Sequence, residues 1–250
     1  ADIIELRVDL MESPDISALL KAAKKPCIVT NRTKLEGGQF KGSEEQRIHL
    51  LRQAIDAGAD YIDIEASTSR NLLESVLGSR GETQVILSYH DFTRTPERLD
   101  EIYDMMSQVP ADILKIITYA SDINDNLAVF SLLKRARKEG KKLISFCMGE
   151  KGEISRILSP LLGGFLTFGS LETGKESAPG QIPASILKNV YHVDQPKPGL
   201  KIYGVIGDPI SKSMGYLIHN RAFQEAGLPF IYVPFWVKNL EKFFSGFAPY

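Results

Sequence analysis

Two strand-like runs early in the chain carry charges at alternate positions: Glu5, Arg7 and Asp9 within 3–10, and Asp63 and Glu65 within 61–65. A strand turns alternate side chains to one face, so each set points the same way. An open doubly wound sheet would press those charges against a helix layer, at a heavy desolvation cost. A closed barrel can hold them in a shared, hydrated network at its mouth. The open sheet would also favour a G-x-G-x-x-G turn after the first strand, and none is present.

The rest of the pattern agrees with a barrel. Short apolar runs at 26–31, 84–89, 113–119, 142–147 and 165–168 alternate with amphipathic stretches at 44–57, 96–108, 124–139 and 154–162. Gly58 and Gly140 follow two of these helices, Thr95-Pro96 precedes another, and Asp122 or Asn124 is placed to cap one more. The predicted fold class is α/β, a (β/α)8 TIM-like barrel over residues 1–193. Seven strands are legible where a closed barrel uses eight, so the first barrel strand is expected ahead of Ala1. A breaker-rich linker, 194–200, follows as Asp194-Gln195-Pro196-Lys197-Pro198-Gly199 and Leu200. Residues 201–250 then predict a strand at 201–206, a helix near 215–226, a strand at 230–235 and a helix around 239–246. Roughly 50 residues make a small core, so this stretch reads as the opening of a longer domain.

Composition narrows the function. A formal net charge of −1 gives no field that favours nucleic acid or an anionic membrane. No apolar stretch approaches the roughly 20 residues of a spanning helix. Ala1-Asp2-Ile3-Ile4-Glu5 does not resemble a signal or transit peptide; it enters a strand without a lead-in, as a trimmed start would. The two cysteines, Cys27 and Cys147, lie in apolar runs and read as buried free thiols. No zinc-ligand spacing occurs.

Barrel enzymes keep their chemistry at the strand ends. Those ends collect Glu5, Arg7, Asp9, Arg32, Asp63, Glu65, His90, Lys115, Met148 with Arg156 just beyond, and Phe168. Lys115 sits in mid-strand within Ile113-Leu114-Lys115-Ile116-Ile117. Such a lysine is either desolvated into an amine nucleophile or ion-paired with an inward carboxylate such as Glu5 or Asp63. The residues alone leave both readings open. Of the four histidines, His90 terminates a barrel strand, whereas His49 lies in a charged helix and His192 near the linker. An imine-forming lysine beside a proton-shuttling histidine is a complete apparatus for chemistry next to a ketone.

Several separated motifs in 1–190 resemble the type I 3-dehydroquinate dehydratases. They are Glu5-Leu6-Arg7-Val8-Asp9, Arg32 through Glu36-Gly37-Gly38-Gln39, Ser88-Tyr89-His90-Asp91-Phe92, and Lys115. Ile154-Ser155-Arg156, Leu166-Thr167-Phe168-Gly169 and Ser177-Ala178-Pro179-Gly180-Gln181 complete the series. The resemblance implies a lyase in which Lys115 forms a Schiff base with 3-dehydroquinate and His90 serves as general acid and base. Glu5 and Asp63 would hold His90 and the ring hydroxyls, Arg156 the substrate carboxylate, and Arg7, Arg32, Met148 and Phe168 the rest of the substrate. Ser177 and Gln181 would belong to a closing loop. Phe146 departs from the methionine frequent in bacterial relatives, which reads as a packing change. The dehydratase would need no cofactor and no metal.

Tyr203-Gly204-Val205-Ile206-Gly207-Asp208-Pro209-Ile210, followed by His219-Asn220-Arg221-Ala222-Phe223, resembles the start of a shikimate dehydrogenase. That fusion is the arrangement of plant bifunctional enzymes. It implies NADP or NAD bound outside this segment, small-molecule substrates and a plastid location. The family's Ser-x-Ser pair is here Ser213-Met214-Gly215, with Tyr216 in place of a proline. Loss of the second serine removes a hydroxyl and a β-carbon, which would leave more room and suit quinate over shikimate. Two other readings stand beside the dehydratase: a class I aldolase sharing barrel and lysine, and a non-catalytic barrel carrying a dehydrogenase.

Overall fold

The computed structural model describes residues 1–195, 198–210 and 212–248. Pro196 and Lys197 of the linker, Ser211 of the serine segment, and Pro249 and Tyr250 lie outside the described residues. In chain order the first elements are β1 (Ile4–Arg7), α1 (Ile16–Ala22), β2 (Cys27–Thr30), α2 (Glu44–Asp56), β3 (Tyr61–Glu65), α3 (Arg70–Ser79) and β4 (Gln84–His90). They continue with α4 (Leu99–Met106), β5 (Ile113–Tyr119), α5 (Asp125–Lys138), β6 (Leu143–Met148), α6 (Glu153–Leu161) and α7 (Ala184–Asn189). The last are β7 (Lys201–Gly207), α8 (Gly215–Glu225), β8 (Phe230–Trp236) and α9 (Leu240–Phe247). Strands β1 to β6 lie in sequence order in one six-stranded sheet, the βα repeat of a TIM-like fold, and β7 and β8 form a second sheet. Two compact units divide the chain within β5: Ala1–Phe92 with Asp100–Ile116, and Thr93–Leu99 with Ile117–Tyr250.

In the first unit, β1 to β4 pair in parallel and their register builds the polar face. Arg7 lies beside Thr30, Thr30 beside Asp63, and Glu65 beside Ser88. Between these positions Val29, Ile62, Ile64, Val85 and Leu87 are fully buried in the apolar core. Burying such a side chain stabilises the fold by about 1.5–3 kcal/mol. Helix α2 shows why a crossover helix forms where it does. Ser43 and Gln46 make a reciprocal capping box, and Gly58 follows the helix at φ +81. Its buried stripe is Arg47, Ile48, Leu51 and Ala54, a helical spacing that includes a guanidinium among apolar residues.

Two expected strands differ. The first ends at Arg7, because Val8–Leu10 turns into a 3-10 helix. That turn lets the Asp9 carboxylate accept two hydrogen bonds from Arg7, at 2.8 and 2.7 Å, and one from the Gln39 N–H at 3.0 Å. Asp9 therefore leaves the strand alternation. The run 165–168 is no strand. Phe165 donates its N–H to Leu143 O at 2.8 Å, and beyond it only an isolated bridge, Ser170 to Pro183, is made. Gly163-Gly164 before it and Gly169 after it give the chain no side chains to pack along a ladder.

In the second unit, the 201–248 stretch folds around β8, where Ile231, Val233 and Phe235 alternate inward. Buried Asn220 of α8 clamps this strand, donating to Tyr232 O and accepting from Tyr232 N–H, each at 2.8 Å. Phe243 and Phe247 of α9 close over Phe235. No described helix is long and apolar enough to cross a membrane.

Candidate active site

Lys115 projects from β5 into the polar face of the first unit. Its Nζ donates to Asp63 Oδ2 at 2.8 Å and lies 3.9 Å from Glu5 Oε1. The ion pair that the sequence left open is thus present, with Asp63 the near partner. Glu5 is held in turn by the Thr30 hydroxyl, which donates to it at 2.8 Å. The other Asp63 oxygen accepts from Arg32 at 2.8 Å and from the Ser88 hydroxyl at 2.6 Å. Arg32 also reaches Ser88 at 2.7 Å and Glu65 at 3.0 Å. All of these groups but Glu5 are almost wholly buried. Burial opposes ionisation of Asp63, but Arg32 and Lys115 outweigh it and hold the carboxyl well below its usual range. Asp63 is accordingly a fixed anion that anchors the amine, not a base that takes its proton.

His90 closes β4, and its Nδ1 lies 2.9 Å from Glu36 Oε2. The expectation that Glu5 and Asp63 hold the imidazole is corrected here. Both Asp63 oxygens and Glu5 Oε1 are engaged by Thr30, Arg32, Ser88 and Lys115, while Glu36 takes the ring nitrogen. Burial, reinforced by Arg32 and Lys115, keeps the imidazole pKa well below its ordinary value, which favours the neutral ring. The Glu36-Gly37-Gly38 turn explains the placement. Gly37 has φ +78 and packs against the Phe92 ring, and a β-carbon on Gly38 would run into the Arg32 carbonyl. Neither position has space for a side chain. The Ser67 hydroxyl donates to the second Glu36 oxygen at 3.2 Å.

Burial pushes the Glu36 carboxyl up to about 7, Glu65 and Asp63 adding to the shift and Arg32 opposing it. The folded chain therefore holds this proton more tightly than the unfolded chain, whose ordinary value is 4.5. Its contribution to stability is complete below pH 4.5 and declines as pH rises through about 7. Glu36→Gln carries no such penalty. Relative to wild type it should gain on the order of 1–3 kcal/mol of stability across that window. Urea unfolding at a series of pH values measures this; identical pH dependence in both proteins would contradict it.

The remaining predicted barrel residues belong to the second unit. Arg156 of α6 is buried, its guanidinium 4.4 Å from the Phe146 ring centroid and its Nη2 donating to Pro179 O at 3.0 Å. Its Nε has no partner. Burial lowers its pKa to about 10, with Glu153 and Cys147 opposing. A buried guanidinium with an unused donor suits a carboxylate. Phe146, expected as a packing change, packs its ring against both Arg156 and Phe168, the two rings 6.3 Å apart. Met148 is buried. Ser177 is exposed and donates its N–H to Gln181 Oε1 at 2.8 Å, which ties the predicted loop to itself.

Ser213 and Gly215 flank the start of α8. Ser213 donates its N–H to Ile210 O at 3.0 Å. A β-carbon at Gly215 would stand 3.2 Å from the Tyr232 ring, so a side chain there would press on that ring. What the glycine removes is the hydroxyl and the β-carbon.

The structure thus gathers Glu5, Arg32, Asp63 and Lys115 in one network, with the His90–Glu36 pair coupled to it by charge and Arg7 bound to Asp9 at its margin. Glu36 and Arg47 enter that network without having been given roles from sequence. A buried helix stripe that runs Arg47, Ile48, Leu51, Ala54 was the available signal for the second. No group of three His, Cys, Asp or Glu side chains among the described residues is arranged to hold a metal ion.

The type I 3-dehydroquinase family profile matches residues 1–198, and the shikimate dehydrogenase substrate binding domain profile matches residues 205–249. The chain is similar to the bifunctional 3-dehydroquinate dehydratase/shikimate dehydrogenase, chloroplastic, of Arabidopsis thaliana, with 38% identity over 255 residues. That alignment covers 99% of this chain and 42% of the relative, so the chain spans about two fifths of that protein's length. The 3-dehydroquinate dehydratase of Desulfotalea psychrophila is 42% identical over 196 residues, covering 76% of this chain and 86% of that one. Among solved structures, the dehydroquinate dehydratase and shikimate dehydrogenase of S. pombe AroM superimposes with a TM-score of 0.69 at 28% identity, covering 97% of this chain and 49% of that one. With its first 198 residues matched as a whole, the chain belongs to the type I 3-dehydroquinase family.

Proposed function

We propose that the chain dehydrates 3-dehydroquinate through a Schiff base on Lys115. The observation that carries this reading is an amine held by Asp63 at 2.8 Å and, in the same unit, an imidazole held by Glu36 at 2.9 Å whose charge is coupled to that amine and to Asp63. The amine attacks the ketone carbon once its proton has passed to a base, and the carbinolamine loses water to give an iminium. That iminium draws electrons from the adjacent C–H bond. His90 takes the proton, the electron pair forms the C=C bond, and the neighbouring hydroxyl leaves with a proton returned by His90. Hydrolysis of the iminium releases the enone and the lysine. Glu36 orients the imidazole, and Asp63 and Glu5 balance the charge that persists on the nitrogen. The names of the plant and bacterial relatives support this choice of substrate. Turnover of 3-dehydroquinate by the full-length protein, with and without a nicotinamide cofactor, tests it. Dehydration independent of the cofactor is expected, and no dehydration in a protein that still oxidises a dehydrogenase substrate would favour the non-catalytic reading.

For residues 201–250 the corresponding proposal is the substrate-binding part of a shikimate or quinate dehydrogenase, in a protein located in plastids. Among the described residues of this segment, the turn after β7 offers no dinucleotide cradle. β7 closes on Gly207-Asp208-Pro209, and the space beside Gly207 is occupied by the Ile210 side chain at 3.1 Å. No step is therefore assigned to a nicotinamide on this segment. Gly215 lacks both the hydroxyl and the β-carbon of the family's second serine, which leaves room for the extra hydroxyl of quinate. Restoring the serine by Gly215→Ser should shift relative oxidation toward shikimate by about tenfold, the worth of one hydrogen bond to a charged group. Unchanged relative rates in the full-length protein would reject the quinate preference.

A further inference from the structure

Arg47 is the one charged residue in the buried stripe of α2, and its side chain is fully enclosed. Its guanidinium pairs with Glu65 Oε2, and its Nη2 donates to the Thr68 hydroxyl at 2.7 Å. The opposite Glu65 oxygen accepts from Arg32 at 3.0 Å and from the Thr33 N–H at 3.1 Å. Arg32 then grips Asp63 at 2.8 Å, and Asp63 grips Lys115 at 2.8 Å. Charges alternate along this path: Arg47, Glu65, Arg32, Asp63, Lys115. Each is held by groups of opposite sign, so a change at one end redistributes the pairing along the whole row.

We propose that Arg47 is a positioning residue for the Lys115 amine, acting through Glu65, Arg32 and Asp63. The proposal rests on the Schiff-base reading above. Without Arg47, Glu65 is left with one cationic partner and draws Arg32 toward itself. Asp63 then belongs more fully to Lys115 and holds the ammonium form. Without the Glu65 charge, the opposite follows: Arg32 turns wholly to Asp63, and the amine loses its proton more readily. The charged groups of this unit around Asp63 and the amine are Glu5, Arg7, Arg32, Glu36, Glu65 and His90; Arg47→Met replaces none of them, and Glu65→Gln replaces Glu65 alone, whose charge also bears on Glu36.

The sign reversal is the test. In the full chain, the rate of forming the borohydride-trapped adduct with 3-dehydroquinate is measured against pH. For Arg47→Met the midpoint should move up by about one pH unit, and for Glu65→Gln down by a similar amount. Arg47→Lys, which keeps the charge, should return the midpoint most of the way to wild type. Near-ultraviolet circular dichroism establishes which variants fold; should Arg47→Met fail to fold, Glu65→Gln and Arg47→Lys still decide the matter. An adduct in wild type with unmoved midpoints in folded variants would overturn the positioning role alone. No adduct on wild type would overturn the Schiff-base reading, and the positioning role with it.

Discussion

Lys115→Met is expected to lower kcat for dehydration by about 10,000-fold or more, about 5.5 kcal/mol of barrier, and to abolish borohydride trapping. No other described lysine is bonded to Asp63. Without a covalent nitrogen, the adjacent C–H bond must be broken against an ordinary ketone, and no group in the network replaces the electron sink. Methionine keeps most of the side-chain volume, and Asp63 retains Arg32 at 2.8 Å and Ser88 at 2.6 Å. The variant should therefore fold, and steady-state kinetics beside a denaturation curve would separate lost chemistry from lost structure. A folded variant with activity within tenfold of wild type would exclude an essential lysine.

His90→Ala should cost about 100- to 10,000-fold in kcat, the usual worth of a positioned acid–base group. Its signature differs from that of the lysine variant. The amine and its partners, Asp63 and Glu5, do not depend on the imidazole for a direct hydrogen bond. The imine should still form, more slowly, and accumulate because proton abstraction is blocked. Single-turnover measurements would then show a trapped adduct on a protein that barely dehydrates. Equal loss of adduct and product would mean that His90 acts chiefly in imine formation.

The parts of this site that follow strand periodicity were legible in the sequence. Glu5, Arg7, Asp63 and Glu65 share a face because side chains alternate, and the ladder register carries that face to Thr30 and Ser88. Lys115 was legible for a related reason, a charge in mid-strand that must find a partner. The Glu36–His90 pair was not, because it joins residues far apart in sequence through a turn whose shape depends on two glycines. Arg47 was given no role from sequence; the one signal for it is the stripe it shares with Ile48, Leu51 and Ala54. The run 165–168 misled because a short apolar segment does not by itself identify a strand. Asp9 misled because the chain turns into a 3-10 helix at Val8 and leaves the alternation, which lets Asp9 pair with Arg7. Periodic features were readable; contacts made by loops were not.

The central claim is a covalent bond between one nitrogen and a ketone carbon. The full chain, incubated with 3-dehydroquinate and reduced with borohydride, should gain a single adduct that peptide mass mapping places on Lys115. An adduct on any other lysine, or none in a protein that nevertheless dehydrates the substrate, would contradict it.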